Sequence, residues 1–542
     1  MQAELRTDET GDPPVLVVGA GPVGTTLALA LAGHGIRCTV IERSMRPSVH
    51  PKMDYINGRS MELLRRLGVA DTVRERGVDD SLPTTFLFTL GLDQAPVTSW
   101  HIPPVAHLRD AYATADGPAP VEPYQRVAGS VLESTLLDAV RAHPLITLLS
   151  GWTLSDLQLD ADGVTAMVVD PETKQRRALR ASYLAACDGA RSTVRRCLEI
   201  DLDQRGETSA HCSVFFTSRD PGLRRWGRAF VTLGARGVTL VSRDERNAWT
   251  ASVPIPRGEP LTSDPIVLVQ ERLGYAFSVD AVHSVTQWEG SLSVATAYGR
   301  GRAFLVGDAA HQFFPAGGLG ANTGIADAID LAWKLAATLS GWGGPRLLAS
   351  YDAERRPIGL LNRELSADLS DVLRRFGRLA ECGVSAPVLA GLLAQEAHHV
   401  DNIGAHFGYR YSTSPVIPHE TQAAPPWDWR HITETAWPGA RAPYVRLPDG
   451  SSLFDHVGLG LTLVDLSGLG IGEPLVRKAQ GRGIPMTLLA VSDERTRRCW
   501  GRDLVLIRPD DHVAWRGDNP PDDWEGLLDQ VTGWATATPR LP

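Results

Sequence analysis

The sequence predicts an α/β fold that opens on a dinucleotide-binding βαβ unit, continues into a mostly β domain and ends in a separate C-terminal domain. Three observations predict it. Residues 14–18 (PVLVV) read as a buried strand, followed by a glycine-rich turn, apolar residues at helical spacing over 23–34, and a second strand, 38–42 (CTVIE). Strand-like alternation dominates from about 147 to 295. Beyond 412 the prolines Pro415, Pro418, Pro425, Pro426 and Pro438 interrupt the pattern before strands and helices resume.

Composition bounds the function. With 542 residues, 43% hydrophobic and 22% charged, the chain has the length for two or three buried cores. A net charge of −9 argues against nucleic acid as the main partner, since phosphate binding needs concentrated positive charge. The short run Arg224, Arg225, Arg228 reads as a solvated turn. Cys38, Cys187, Cys197, Cys212, Cys382 and Cys499 are scattered, with no metal or disulfide spacing, which fits a reducing cytoplasm. The start, MQAELRTDETGDPP, has no signal-peptide core, and no run of about 18 apolar residues follows, so a loose tail and no membrane span are expected.

In order along the chain, 126–143 reads as an amphipathic helix and 183–188 as a strand stopping at Asp-Gly. Residues 210–218, 228–233, 238–243 and 248–254 read as consecutive antiparallel strands. A strand at 303–307 precedes a glycine-rich loop and a helix whose apolar face is Ile325, Ala328, Ile329, Ala332, Leu335 and Leu339, with more helix over 346–405. Strands at 461–466 and 486–491 and a hairpin over 503–515, with Asp510 and Asp511 in its turn, follow. The expected division is 12–80, 121–205 and 296–411 for the nucleotide domain, 81–120 and 206–295 for the β domain, 412–438 for a linker and 439–542 for the C-terminal domain.

The chemistry sits in the turns. Gly19-Ala20-Gly21-Pro22-Val23-Gly24 joins the first strand to the first helix, and Glu42 ends the second strand eighteen residues later. In this Rossmann-type order the glycines allow a tight turn, close approach to a pyrophosphate and helix–strand packing, while Glu42 accepts ribose hydroxyls. Arg43 is a further candidate beside it. Cys187-Asp188-Gly189-Ala190-Arg191-Ser192 follows another strand, and Gly307-Asp308-Ala309-Ala310-His311 follows a third, with the glycine-rich stretch Pro315 to Gly324 just beyond.

Together these segments resemble the class A, single-component flavoprotein aromatic hydroxylases, the para-hydroxybenzoate hydroxylase family. The resemblance covers roughly 12–400 and is nearest to large natural-product tailoring members of the rebeccamycin-pathway type, on segments such as HPKMDYINGRSMELLRRLGV, HFGYRY and IRPDDHVAWRGD. It implies non-covalent FAD, NAD(P)H as a transient co-substrate, and a C4a-hydroperoxide that hydroxylates a polycyclic aromatic partner with O2. Baeyer–Villiger, epoxidising or ring-rearranging outcomes remain alternatives, as does a non-enzymatic flavin-binding regulator or chaperone-like protein. By resemblance Asp308 contacts the ribityl chain, Pro315, Gly318, Gly320, Ala321 and Asn322 form the loop and helix start facing the isoalloxazine, and Asp188 and Arg191 serve flavin and pyridine nucleotide. Gln125 matches a flavin contact. Lys52 stands where relatives usually carry arginine, a point charge in place of a planar fork.

No histidine stands at triad or metal spacing, so Lys52, Tyr55 and His211 are only weak catalytic candidates, and no metal is expected. Phe215, Phe216, Trp226, Phe230 and Trp249 could line a wide pocket or form the sheet's own core. The larger members carry a thioredoxin-like C-terminal extension. Here it holds only Cys499, which excludes dithiol chemistry. A monomer or homodimer is expected.

Overall fold

The computed structural model describes residues 12–115, 119–258, 261–400, 402–447 and 449–535; the expected N-terminal tail lies mostly outside them. The βαβ unit forms as anticipated. Val15–Val18, wholly buried, pairs in parallel with Cys38–Glu42 on one side and Tyr183–Ala186 on the other. Ile146–Ser150 and the Gly299–Arg300/Ala303–Leu305 hairpin extend this to six strands. Continuous burial suits the β-branched, apolar strand sequence, as parallel strands covered on both faces require. An antiparallel meander, Thr153–Leu159, Val164–Val169 and Arg176–Ala181, adds Leu154, Val164, Ala166 and Val168 to the same core.

Helix Pro22–Gly33 starts on proline, whose missing N–H costs nothing at that position. It packs against helices Leu319–Leu339 and Gly129–Ala142. The helix expected over 126–143 begins later, because Gln125–Arg126 is instead a short strand paired with Tyr55–Ile56. Helices Pro345–Glu381 and Ala386–Gln395 account for most of the 346–405 stretch.

A second sheet has eight strands. Its order is His311–Gln312, Ala281–Ala295, Leu202–Thr217, Ala248–Ile255, Thr239–Ser242, Val231–Gly234, Thr84–Thr89 and Thr98–Ile102. The four strands read over 210–254 are present, but not as a simple meander. Leu202–Thr217 lies between Ala248–Ile255 and Ala281–Ala295, and Val231–Gly234 runs parallel to Thr84–Thr89.

The C-terminal sheet is ordered Met486–Ala490, Leu461–Asp465, Leu504–Ile507, Val513–Gly517, with only the first pair parallel. Helices Glu473–Gly481, Glu494–Trp500 and Trp524–Thr532 accompany it. Its hairpin turn departs from expectation. Asp510 and Asp511 are buried, with Asp511 at a φ of 66°, and they face charge rather than water.

Arg508 reaches across from this turn, donating to both oxygens of Glu354 at 2.8 Å, to Asp330 at 3.0 Å and to Asp510 at 2.6 Å. Lys334 donates to Asp330 at 2.8 Å and Glu354 at 2.6 Å. Beside them Arg59 binds Asp511 at 2.9 Å and Glu62 at 3.0 Å, Arg66 binds Asp511, and Arg441 binds Glu62 at 2.7 Å. Burial pushes the Glu354 carboxyl up, but the Arg508 and Lys334 cations more than offset this and hold it below the usual range; Asp511 is held down likewise by Arg66 and Arg59.

These contacts set a stability test. Arg508→Ala removes the guanidinium shared by three buried acidic side chains, leaving Lys334 to answer two of them alone, and should cost about 3–5 kcal/mol in urea unfolding. Arg497→Ala, which breaks a half-exposed pair with Asp503, should stay within about 1 kcal/mol. Because Glu354 and Asp511 have depressed folded-state pKa values, their contribution is full above the ordinary carboxylate range and is lost as pH falls through and below it. Stability of the native protein, followed by circular dichroism, should therefore drop steeply on acidification, and less steeply in Arg508→Ala.

Candidate functional site

At the C-terminal ends of the central strands the glycine turn is built as its three roles require. Gly19 has a φ of 102°, and a Cβ there would lie 2.3 Å from the Cys187 carbonyl oxygen. A Cβ on Gly24 would lie 2.0 Å from the Gly19 oxygen, so both positions exclude any side chain. At Gly21 a Cβ meets no protein atom within 4 Å, leaving backbone open to the cleft. Glu42 is aimed at this turn. Its Oε2 accepts from the Ala20 N–H at 2.8 Å and its Oε1 from the Ser44 N–H at 2.8 Å. Val23 wedges the first helix against Gly307 and Gly324, while Arg43 is exposed at the rim.

Asp308 lies across the cleft, solvent-accessible yet set deep among protein atoms. That burial raises its pKa, while nearby His311 and Lys52 lower it. A Cβ on Gly320 would lie 3.9 Å from Asp308 Oδ1, which brings the two glycine-rich segments together. The loop after Pro315 turns through Gly317 and Gly318, at φ values of 81° and 63°, into the helix from Leu319. No side chain caps that helix, so its first N–H groups, at Leu319, Gly320 and Ala321, remain as donors.

The Asn322 side chain is a clamp: Oδ1 accepts from the Asn57 N–H at 3.0 Å and Nδ2 donates to Tyr55 O at 3.1 Å and Gly318 O at 2.6 Å. Tyr55 borders Gly318 and stacks on Tyr124 at 5.1 Å, and Lys52 is exposed on the same loop.

Other expected residues have different duties. Gln125 is buried; its amide donates to Val78 O at 2.9 Å and Arg126 O at 3.0 Å and accepts from Arg74 at 3.1 Å. Both its donors are spent on the protein, and its backbone pairs with Ile56 beside the Asn322 clamp. Asp188 Oδ2 accepts from the Thr193 and Val194 N–H groups at 2.7 and 3.2 Å, capping a short helix, while its buried Oδ1 has no protein partner. Arg191 is exposed, and Arg195 instead ties this turn to the next by donating to Ala309 O at 3.0 Å. His211 stacks on Trp288 at 4.5 Å, with Nε2 2.9 Å from Ser209 Oγ, and burial lowers its pKa.

Three residues that local motifs did not reveal hold the cleft's walls. Arg243 donates to Asp54, to Met53 O at 3.3 Å and to Thr250 at 2.9 Å, joining the loop around Lys52 to the eight-stranded sheet. His50 Nδ1 lies 2.9 Å from Ser284 Oγ. Asp327, fully buried, holds His311 at 2.8 Å and Arg355 at 2.7 Å and accepts from the Gly307 N–H at 3.3 Å. No short-range pattern carries such partnerships.

The aromatic residues divide between two faces. Phe216 and Trp249 pack with Val269, Leu273 and Phe277 behind the sheet, Trp226 is half-exposed, and Phe230 lies under Arg126 at 4.2 Å. Only Phe215 shares the face of Thr250 and Ser284. The basic run is not a plain solvated turn either: Arg224 binds Glu245 at 3.0 Å and stacks on Trp249 at 4.7 Å.

A dinucleotide fits this cleft: the backbone at Gly21 is open, Asp188 Oδ1 lacks a partner, and an uncapped helix of 21 residues begins beside Asp308. Gly21→Ala should thus leave apoprotein stability nearly unchanged while weakening FAD binding at least about tenfold, roughly 1.4 kcal/mol. Gly24→Ala should destabilise the apoprotein itself; thermal melts with and without FAD separate the two.

Residues 12–363 match the family model of the FAD binding domain and 435–537 that of the aromatic-ring hydroxylase C-terminal domain. The FAD-dependent monooxygenase apdD of Emericella nidulans is 33% identical over 580 residues, covering 98% of this chain and 92% of that protein. The rebeccamycin biosynthetic enzyme RebC with reduced flavin superposes with a TM-score of 0.85 at 32% identity, over 96% of this chain and 99% of RebC. Aklavinone-11 hydroxylase, solved as a ternary complex with FAD and aklavinone, gives 0.80 at 26% identity, over 97% of this chain and all of that one (100%). Matches running from residue 12 to residue 537 place the chain in the FAD-dependent aromatic-ring hydroxylase family, as a flavoprotein monooxygenase that uses FAD with NAD(P)H.

Proposed function

We propose that this monooxygenase places one oxygen atom of O2 on an electron-rich carbon of a polycyclic aromatic, polyketide- or indole-type natural-product intermediate. The observation that carries this reading is the broad sheet face, bearing Phe215, Thr250 and Ser284, that is fastened to the cofactor loop by Arg243 and His50. Such a wall suits a wide planar molecule. Similarity to an aklavinone hydroxylase and to RebC supports it. A single-ring hydroxybenzoate would want a free cation, and Arg224, the basic residue closest to that role in sequence, is committed to Glu245.

FAD, when bound, supplies reducing equivalents and activates O2. In our reading the Gly19–Gly24 turn and Glu42 hold its nucleotide half, and Asp308, Lys52 and the loop from Pro315 to Asn322 hold the ring half. The N–H groups of Leu319, Gly320 and Ala321 favour negative charge on the ring without reorganising. Protein walls orient the substrate and exclude water. His211, kept neutral by burial and stacked on Trp288, is an orienting group in this scheme and not a base.

We assign 439–542 as a thioredoxin-like unit on its strand order, with 412–438 as its linker, 12–80, 121–205 and 296–411 as the flavin domain, and 81–120 and 206–295 as the substrate domain. The unit's only thiol, Cys499, is pushed up to about 12 by burial and by Glu434, so it is inert at neutral pH. We place the protein in the cytoplasm, as a monomer or homodimer, a location with which its free cysteines agree; among the described residues no helix is long and apolar enough to cross a membrane.

The test is NAD(P)H oxidation coupled to O2 uptake and product formation. Multi-ring phenols should give coupled turnover and hydroxybenzoates should not; the reverse pattern overturns the substrate class. Cys499→Ser should retain full activity, and a large loss would show that the thiol takes part.

A further inference from the structure

Strand register places four hydroxyls side by side on the sheet face that carries Phe215, Thr250 and Ser284. Ser213 is opposite Thr286 on one side and Ser252 on the other, and Ser252 is opposite Thr239. The row Thr286, Ser213, Ser252, Thr239 thus crosses four adjacent strands. Alternation puts it on the same face as Phe215, Thr250 and Ser284 one step away, and as His211 and Trp288 one step the other way. Both flanks meet segments that border the cofactor cleft. On one side Thr250 and Ser284 bind Arg243 and His50. On the other, a Cβ at Gly290 would lie 3.0 Å from Phe314, just ahead of the Pro315 loop. The opposite face, Cys212, Val214, Phe216, Trp249, Ala251 and Val253, is apolar core.

The row has a direction. Indole nitrogen only donates, so Trp288 Nε1 gives its hydrogen to Ser213 Oγ at 2.8 Å. Ser213, which is 5% exposed, passes its own to Ser252 Oγ at 3.2 Å. Each donation polarises the next, so the chain ends in a strengthened donor, the Ser252 hydroxyl, on a half-buried wall beside Thr239. Arg243, the cation nearest along this wall by its bond to Thr250, is neutralised by Asp54.

We propose that this hydroxyl row is the specificity determinant of the site, binding neutral oxygen acceptors, phenol or quinone carbonyl edges, of the aromatic substrate and discriminating against carboxylates. It rests on the polycyclic-hydroxylase reading and adds to it the edge chemistry of the substrate. A row of neutral donors whose adjoining cation, Arg243, is already paired with Asp54 gives a carboxylate too little to replace its hydration, whereas a carbonyl loses little and gains a directed hydrogen bond.

The experiment titrates FAD-loaded enzyme with quinizarin, a neutral dihydroxyanthraquinone, and with anthracene carboxylate, following flavin absorbance. Wild type should bind quinizarin much the more tightly. Ser252→Ala and Thr239→Val should each weaken quinizarin about five- to tenfold, as loss of one hydrogen bond does, with FAD content unchanged, while Thr239→Ser should retain affinity. Unchanged quinizarin affinity in both hydroxyl-deleted variants, tighter binding of the carboxylate, or failure of wild type to bind either probe would overturn the proposal. The monooxygenase reading is judged apart from it, by coupled turnover with multi-ring phenols.

Discussion

A guanidinium with no route to water must have its charge answered where it lies, and Arg508 is such a group. Its answer is shared between a carboxylate of its own turn, Asp510, and two carried by separate helices, Asp330 and Glu354. Those helices, Leu319–Leu339 and Pro345–Glu381, are thereby fixed to each other and to the C-terminal sheet. The next residue after Glu354 continues inward: Arg355 holds Asp327, which holds His311 and the Gly307 N–H. Two sets of buried ionic contacts, joined by the adjacent residues Glu354 and Arg355, therefore run from the C-terminal hairpin to the turn that carries Asp308. The C-terminal unit, which has no reactive thiol, belongs to the geometry of the cofactor cleft.

What could be read in the sequence depended on the range over which each constraint acts. The turn Gly19–Gly24 and Glu42 were legible because a tight turn, a helix start and a strand end all lie within one local unit, and the structure puts clashes of 2.0 and 2.3 Å at the two glycines that must be bare. The burial of Asp510 and Asp511 was not legible. In sequence they are a hydrophilic hairpin turn, and only tertiary contact with Arg59, Arg66 and Arg508 makes their burial tolerable. The partners of Gln125 were not legible for the same reason: a polar residue ahead of a helix looks available, but packing gives its amide N–H groups to Val78 and Arg126. The facing of Phe216 and Trp249 away from the cleft followed from register, and register could not be assigned before the partner strands were known.

The two halves of the site are built from different materials. Around the cofactor, backbone predominates: bare glycines, an uncapped helix start, and an asparagine whose side chain serves only to hold two loops together. Along the sheet, side chains predominate, and alternate positions separate a sealed apolar face from a polar one. A substitution on the polar face changes what the wall offers a ligand without touching the turns that hold the cofactor. This division explains how a single scaffold can keep one redox chemistry while its relatives act on differently shaped molecules.

The parallel pairing of Thr84–Thr89 with Val231–Gly234 has a temporal side. During synthesis the first partner leaves the ribosome about 150 residues before the second, on the order of ten seconds at about 5–20 residues per second. Throughout that interval Phe86 and Phe88 can pair only with the hairpin partner Thr98–Ile102, since Val231 and Leu233 on the other side do not yet exist. The eight-stranded sheet closes later still, when His311–Gln312 adds to its far edge. The nascent chain thus carries an aromatic two-stranded hairpin with one open edge for much of its elongation. That open edge is a template for wrong pairing until the middle of the chain arrives to cover it.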